Sequence, residues 1–130
     1  MQAQKLDERR RSKRVAFDAP VPAAIAGVRI LLLDVSNAGA RIEHEAPLAV
    51  RREVRIRFDR GDDSFQLSCE AVRCRLQRSA TRPGSVTYIS GIRFTASAGQ
   101  SREKLRLLVA QMLGSVAGER EVEDLSAVAV

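Results

Sequence analysis

Two groups of polar residues in this sequence have types and spacing suited to chemistry. The first is ERRRSKR at 8–14, which puts five positive charges into residues 9–14 and sets Arg10 and Arg14 four apart. The second is DVSNAGARI at 34–42, where Asp34, Ser36 and Gly39 form D-x-S-x-x-G and Arg41 follows. The planar fork of Arg suits bidentate contact with a phosphate or a guanine edge. A carboxylate accepts from ring and amino N–H groups, a hydroxyl donates or accepts at short range, and glycine lets the backbone turn tightly. Taken singly, each motif also has a plain reading. A basic run is commonly a solvated tail, and D-x-S-x-x-G can be a turn in which Asp34 and Ser36 satisfy backbone N–H groups while Gly39 takes a positive φ.

Enzymatic chemistry has little support. The single histidine, His44, lies on a predicted strand with no Cys or His partner at metal-ligand spacing, so it reads as a strand-end or surface residue. Phosphate-binding loops, dinucleotide fingerprints and nucleophile elbows do not occur. The expectation is a noncatalytic protein with no metal and no cofactor.

The chain has 130 residues, 45% of them apolar and 29% charged, which fits one globular domain. Its formal charge of +6 points to an anionic partner. Arg outnumbers Lys nineteen to three. With aromatics at 4% and no Trp, the core must come mainly from Val, Leu, Ile and Ala. No apolar run approaches the ~20 residues of a spanning helix, so the reading is a cytoplasmic protein without membrane insertion. Cys69 and Cys74 fall five apart in one predicted strand, ~16 Å, beyond disulfide reach, and both read as reduced, buried and structural.

The elements that must position the two motifs follow from periodicity. Residues 1–14 are too poor in apolar side chains to offset their own ordering entropy, and read as a flexible basic segment. From Val15 the pattern is strand-like. PVPAAIAG turns at Gly27 into VRILLLDV, a run apolar enough to be covered on both faces. ARIEHE alternates, and EVRIRF puts Val54, Ile56 and Phe58 opposite Arg55 and Arg57. RGDD at 60–63 reads as a turn. In FQLSCEAVRCRLQ the apolar phase runs through Phe65, Leu67, Cys69 and Ala71, then restarts at Val72, Cys74 and Leu76, which requires a bulge or bend. SVTYISGIRF holds Val86, Tyr88, Ile92 and Phe94 in one phase. SAGQ at 97–100 fits a capping box, and Leu105, Leu108, Val109 and Met112 mark a helix ending at Gly114. Residues 15–114 thus form a mainly β domain, a small antiparallel barrel with a C-terminal α-helix, and 115–130 read as an acidic tail, frayed or weakly helical.

With their order and a gap of about twenty residues, the two motifs together resemble the PilZ domain, a bacterial receptor module for cyclic di-GMP. Arg10 and Arg14 match the family's R-x-x-x-R, and Asp34, Ser36 and Gly39 match its [D/N]-x-S-x-x-G. SGIRF at 90–94 is similar to the strand that precedes the family's helix. The resemblance implies a six-stranded antiparallel barrel and a cyclic di-GMP site built from Arg10, Arg14, Asp34, Ser36 and Gly39. Arg41 is a further candidate contact. Arg9, just before R-x-x-x-R, leans by the same resemblance toward an intercalated pair of ligands. Ligand binding would then order the Arg segment and alter contact with an unidentified downstream protein. Two alternatives remain at this point: a basic barrel that binds nucleic acid nonspecifically, and a PilZ adaptor that binds no ligand. Against the first, Phe17, Phe58, Phe65, Tyr88 and Phe94 are few and fall mostly in core phase, so the stacking platform such sites use is nearly absent.

Overall fold

Among the described residues, six strands close into a ring and one helix follows them. The computed structural model describes residues 13–95 and 101–128, with helix side chains described as far as Gly114. The strands are β1 (Val15–Ile25), β2 (Val28–Val35), β3 (Gly39–His44), β4 (Glu53–Arg60), β5 (Asp63–Arg78) and β6 (Val86–Phe94), and the helix is α1 (Ser101–Val128). All pairings are antiparallel, in the barrel order β1-β2-β3-β6-β5-β4, with β4 returning to β1 through Ala23 opposite Phe58 and Ile25 opposite Ile56. This is the fold class that the sequence predicts.

Turn chemistry sets the hairpins. Ala26 and Gly27 have φ of 50° and 80°, the pair of positive values that a two-residue type I′ turn needs between β1 and β2. Gly61, at φ 60°, serves the β4–β5 turn. β1 leaves its ladder between Ala16 and Val21, a stretch that contains Pro20, whose nitrogen has no hydrogen to donate. The core fills from the alternating faces. Ile25, Leu32, Ile42, Ile56 and Leu67 are almost wholly buried, and Phe58 stacks on Phe65, its cross-strand partner, with ring centroids 4.6 Å apart. β2 is buried on both faces from Leu32 to Val35, as expected of its apolar run. Leu105, Leu108 and Val109 seat α1 on this core, with Met112 partly buried beside them.

The phase change in β5 is a bulge. Ala71 pairs with Ile92 and Arg73 with Gly91, which leaves Val72 as the extra residue. Past the bulge the strand departs from expectation, because β4 stops pairing at Glu53 opposite Glu70 and the rest of β5 runs beyond the barrel wall with β6 alone. Val72, Leu76 and Val86 are therefore exposed, at 47%, 61% and 61% of their surface, instead of inward. Cys74 is half-buried, whereas Cys69 is buried, and both are free thiols.

The helix passes through Gly114, where the spacing places its end, and continues to Val128. Gly114 does not take the left-handed conformation that would terminate a helix there. An interior glycine costs only ~1 kcal/mol against alanine, and Ala117, Glu119, Arg120, Glu121 and Leu125 beyond it are good helix formers. The capping box at 97–100 lies outside the described residues. A methyl group at Gly114 meets no atom within 4 Å. Gly114→Ala is expected to raise stability by about 0.5–1 kcal/mol, measured as a higher urea midpoint at unchanged m-value.

Candidate functional site at the Asp34–Arg41 turn

The turn from β2 into β3 is held by one hydroxyl. Ser36 Oγ accepts from the N–H groups of Ala38 (3.2 Å) and Gly39 (3.1 Å) and donates to the Gly39 carbonyl (3.2 Å), while Ser36 N–H donates to the same carbonyl at 2.7 Å. A hydroxyl has one donor and two acceptor positions, so this turn uses all three. Ser36 is buried and acts as the staple of the turn.

Gly39 is needed for a different reason from the one its sequence position suggests. Its φ is not positive. Instead, β6 crosses so closely that a Cβ here would collide with the Ile92 carbonyl oxygen, with the Ile92 carbonyl carbon at 3.1 Å and Arg93 Cα at 3.3 Å. Phe94 N–H donates to the Ala38 carbonyl at 2.8 Å and ties the turn to the end of β6. The space kept free at Gly39 is thus occupied by protein backbone.

Asp34 and Arg41 face each other across β2 and β3. Arg41 Nε lies 3.0 Å from Asp34 Oδ2, and the Arg41 side chain is about half exposed. Asp34 is only 7% exposed, yet its Oδ1 is buried with no hydrogen-bond partner among the described residues, and Asn37 Oδ1 in the same turn is in the same condition. A buried polar atom left unsatisfied costs ~1–3 kcal/mol. Two such acceptors in one short turn make a site that favours an N–H donor. Nothing in the sequence pattern singled out Asn37, since an orphaned oxygen is visible only once burial is known.

β1 brings the first motif to the second. Val15 pairs with Val35 and Ala16 with Asp34, so extending the register by one residue sets Arg14, which is exposed, beside Ser36. Arg9 and Arg10 lie outside the described residues. A concave space of about 640 Å³ lies between the β4–β5 turn and α1, where Arg60, Asp63, Lys104 and Leu107 line it, and none of the motif residues does. The Asp34 turn lies elsewhere, a shelf of buried Asp34 and Ser36 with Arg14, Ala38 and Arg41 exposed around it.

Two buried titratable groups follow in β3. Burial by itself would raise the Glu43 pKa. Hydrogen bonds from the Thr81 hydroxyl, the Ala80 N–H and the Ser79 hydroxyl, with Arg82 nearby, outweigh that and hold it below the usual carboxylate value. Glu43 thereby anchors the β5–β6 loop. Burial pushes the His44 pKa below its ordinary 6.5, against the raising influence of the Ala46 carbonyl and Glu43. Because a carbonyl only accepts, His44 Nδ1 carries the proton toward Ala46, and Nε2 accepts from the Ser90 hydroxyl at 2.7 Å. The ring stacks on Tyr88. His44 is a satisfied core residue at a strand end, not a surface one. Burial also pushes the Cys69 thiol up to about 11, with Glu53 adding to the shift, so it is unreactive near neutral pH. Among the described residues no group of three or more His, Cys, Asp and Glu side chains is placed to hold a metal ion.

A family model, the PilZ domain, matches residues 8–111. The chain belongs to the PilZ domain family. The match begins ahead of Arg10 and Arg14 and runs beyond Gly39, so both PilZ motifs fall inside it. Among solved structures, the PilZ domain with c-di-GMP of YcgR from Escherichia coli is similar at 16% identity and a TM-score of 0.66, covering 87% of this chain and 98% of that one. The inhibitor of motility MotI/DgrA from Bacillus subtilis is similar at 14% identity and a TM-score of 0.62, covering 81% of this chain and 52% of that one. This chain therefore spans about half the length of MotI/DgrA. At these identities the likeness is one of fold. Comparison with curated proteins gives no match.

Two outcomes follow from the site's construction. Gly39→Ala is expected to destabilise the PilZ domain by at least ~2–3 kcal/mol in urea unfolding, because the clash is with backbone that cannot rotate away. His44 is held neutral when folded, so protonation favours the unfolded chain. Stability should be complete above pH 6.5 and decline as pH falls below it, and His44→Gln should flatten that decline in thermal melts between pH 7.5 and 5.5.

Proposed function

We propose that this PilZ domain is a noncatalytic cyclic di-GMP receptor whose ligand lies on the shelf at Asp34. The observation that carries this is the buried Asp34 Oδ1, which has no partner among the described residues, with Arg41 fixing the other carboxylate oxygen. Guanine presents N1–H and an amino group along one edge, which are the donors this acceptor lacks, and Asn37 Oδ1 offers a second acceptor. Arg41's outer N–H groups remain for phosphate or for guanine O6 and N7.

Arg14 supplies positive charge at the same shelf. Arg10 is four residues further along the chain, at most about 14 Å, so both guanidinium groups are within reach of one ligand. Each would make forked contacts to phosphate or stack on a base. Arg9 immediately precedes R-x-x-x-R, the position that by family resemblance leans toward an intercalated pair of ligands, and the proposed stoichiometry is a pair. Ser36 and Gly39 act by position: the first holds the turn, the second lets β6 lie against it. Closing of residues 9–14 over the ligand would change the surface offered to a downstream protein, an order-disorder device.

The nucleic-acid alternative loses support. Phe17, Phe58, Phe65 and Phe94 are all buried and Tyr88 is half-buried beneath His44, which accounts for all five aromatic residues of the chain. No base-stacking platform is left. That the similar YcgR structure is described with c-di-GMP agrees with the receptor reading.

Calorimetry with cyclic di-GMP tests it. Saturable heat with a Kd of micromolar or tighter is expected, corresponding to ~8 kcal/mol or more. Arg10→Ala, Arg14→Ala and Asp34→Ala should each weaken binding by about 10- to 100-fold, as loss of one hydrogen bond to a charged group implies, and Arg11→Ala by much less. Absence of heat at tens of micromolar, or equal losses for Arg10→Ala and Arg11→Ala, would refute the receptor assignment.

A further inference from the structure

The stretch of β5 beyond its bulge is a strand with an open edge. Residues 73–78 pair with β6 on one side, and on the other side the ladder with β4 ends at Glu70, followed only by an isolated parallel bridge between Val50 and Ala71. Among the described residues, the N–H and C=O groups directed away from β6 along 73–78 have no neighbouring strand. An edge of that kind is a template for another strand.

The two faces of this edge differ in chemistry. Register places Cys74, Leu76 and Arg78 on the face of Ser90, Tyr88 and Val86, and Leu76 and Val86 are each 61% exposed there. On the other face lie Arg73 and Arg75, both exposed and neither ion-paired among the described residues. Arg51 begins at the same place, its N–H donating to the Ala71 carbonyl at 2.8 Å. The apolar residues here are not covered by the barrel or by the described side chains of the helix.

We infer that residues 73–78 are a docking edge for an acidic extended segment of a partner protein, which adds to the sheet as a seventh strand. Side chains of a strand alternate, so the fitting segment alternates too, with apolar residues toward Leu76 and carboxylates toward Arg73 and Arg75. Main-chain hydrogen bonds supply attachment and this alternation supplies selectivity. A second copy of the chain does not fit. Antiparallel pairing of two such edges keeps like faces together and would bring Arg73 and Arg75 of one copy against those of the other, and like charges opposed across strands are destabilising. The same arginines that prevent self-pairing select an acidic partner.

The probe is a fluorescein-labelled peptide Glu-Val-Glu-Val-Glu-Val, with Lys-Val-Lys-Val-Lys-Val as counterpart, titrated with the full chain by fluorescence anisotropy at low salt. Saturable binding of the acidic peptide below ~1 mM is expected, at least 10-fold tighter than the lysine peptide. Amide NMR shifts should concentrate in 72–78. Arg73→Glu/Arg75→Glu should lose the acidic peptide by 10-fold or more and gain the lysine peptide, a reversal that misfolding does not produce. Arg10→Ala/Arg14→Ala should change nothing, which separates this edge from the ligand shelf. Equal binding of both peptides, no saturation by 1 mM, shifts confined to 34–41, or concentration-dependent dimers abolished by Leu76→Glu would each overturn the inference.

Discussion

The close passage of β6 over Gly39 is the constraint on which the rest of the molecule depends. It requires a residue without a side chain at the first position of β3, and it lets the Phe94 N–H reach the Ala38 carbonyl. Those contacts fix the turn after β2 against the last strand. The turn in turn fixes where Asp34 and Arg41 meet, and the ring closes through β3 and β6 at the same point. Barrel closure and site geometry are therefore one problem with one solution. A motif glycine that looks like ligand clearance is first a condition of folding.

Burial then gives the shelf its chemistry. Asp34 is held by Arg41 at one oxygen, and the other has no hydrogen-bond partner among the described residues. Glu43, two residues beyond Arg41 along β3, shows the contrast. Its carboxylate accepts from three groups of the β5–β6 loop and is fully used in structure. Two buried acidic residues of one hairpin thus differ in how far their oxygens are satisfied by the described residues.

The bulge at Val72 divides β5 into two functions. Before it, the strand is barrel wall, with Phe65, Leu67 and Cys69 inward. After it, the strand leaves β4 behind and pairs with β6 alone, which exposes Leu76 and Val86 and leaves Arg73 and Arg75 along a free edge. In a chain with net charge of +6, positive charge is thereby presented at two separate places, the Asp34 shelf and this edge.

Local pattern was enough for much of this. Alternation in β4, the apolar run of β2, the phase change at Val72 and the helical spacing of Leu105, Leu108 and Val109 depend on neighbours in sequence, and they gave strands, bulge and helix correctly. The paired motifs pointed to the PilZ family because residue type and spacing are properties of the chain alone. Exposure of Leu76 and Val86 was not legible, because it depends on where β4, a different strand, stops pairing. The end placed at Gly114 is not a helix end, because a glycine marks one only when its backbone turns left-handed. The purpose of Gly39, the orphaned oxygens of Asp34 and Asn37, and the buried neutral His44 belong to tertiary structure, since each depends on atoms distant in sequence or on exclusion of water. Sequence determined which residues could do the chemistry, and folding decided which of their atoms are left free to do it.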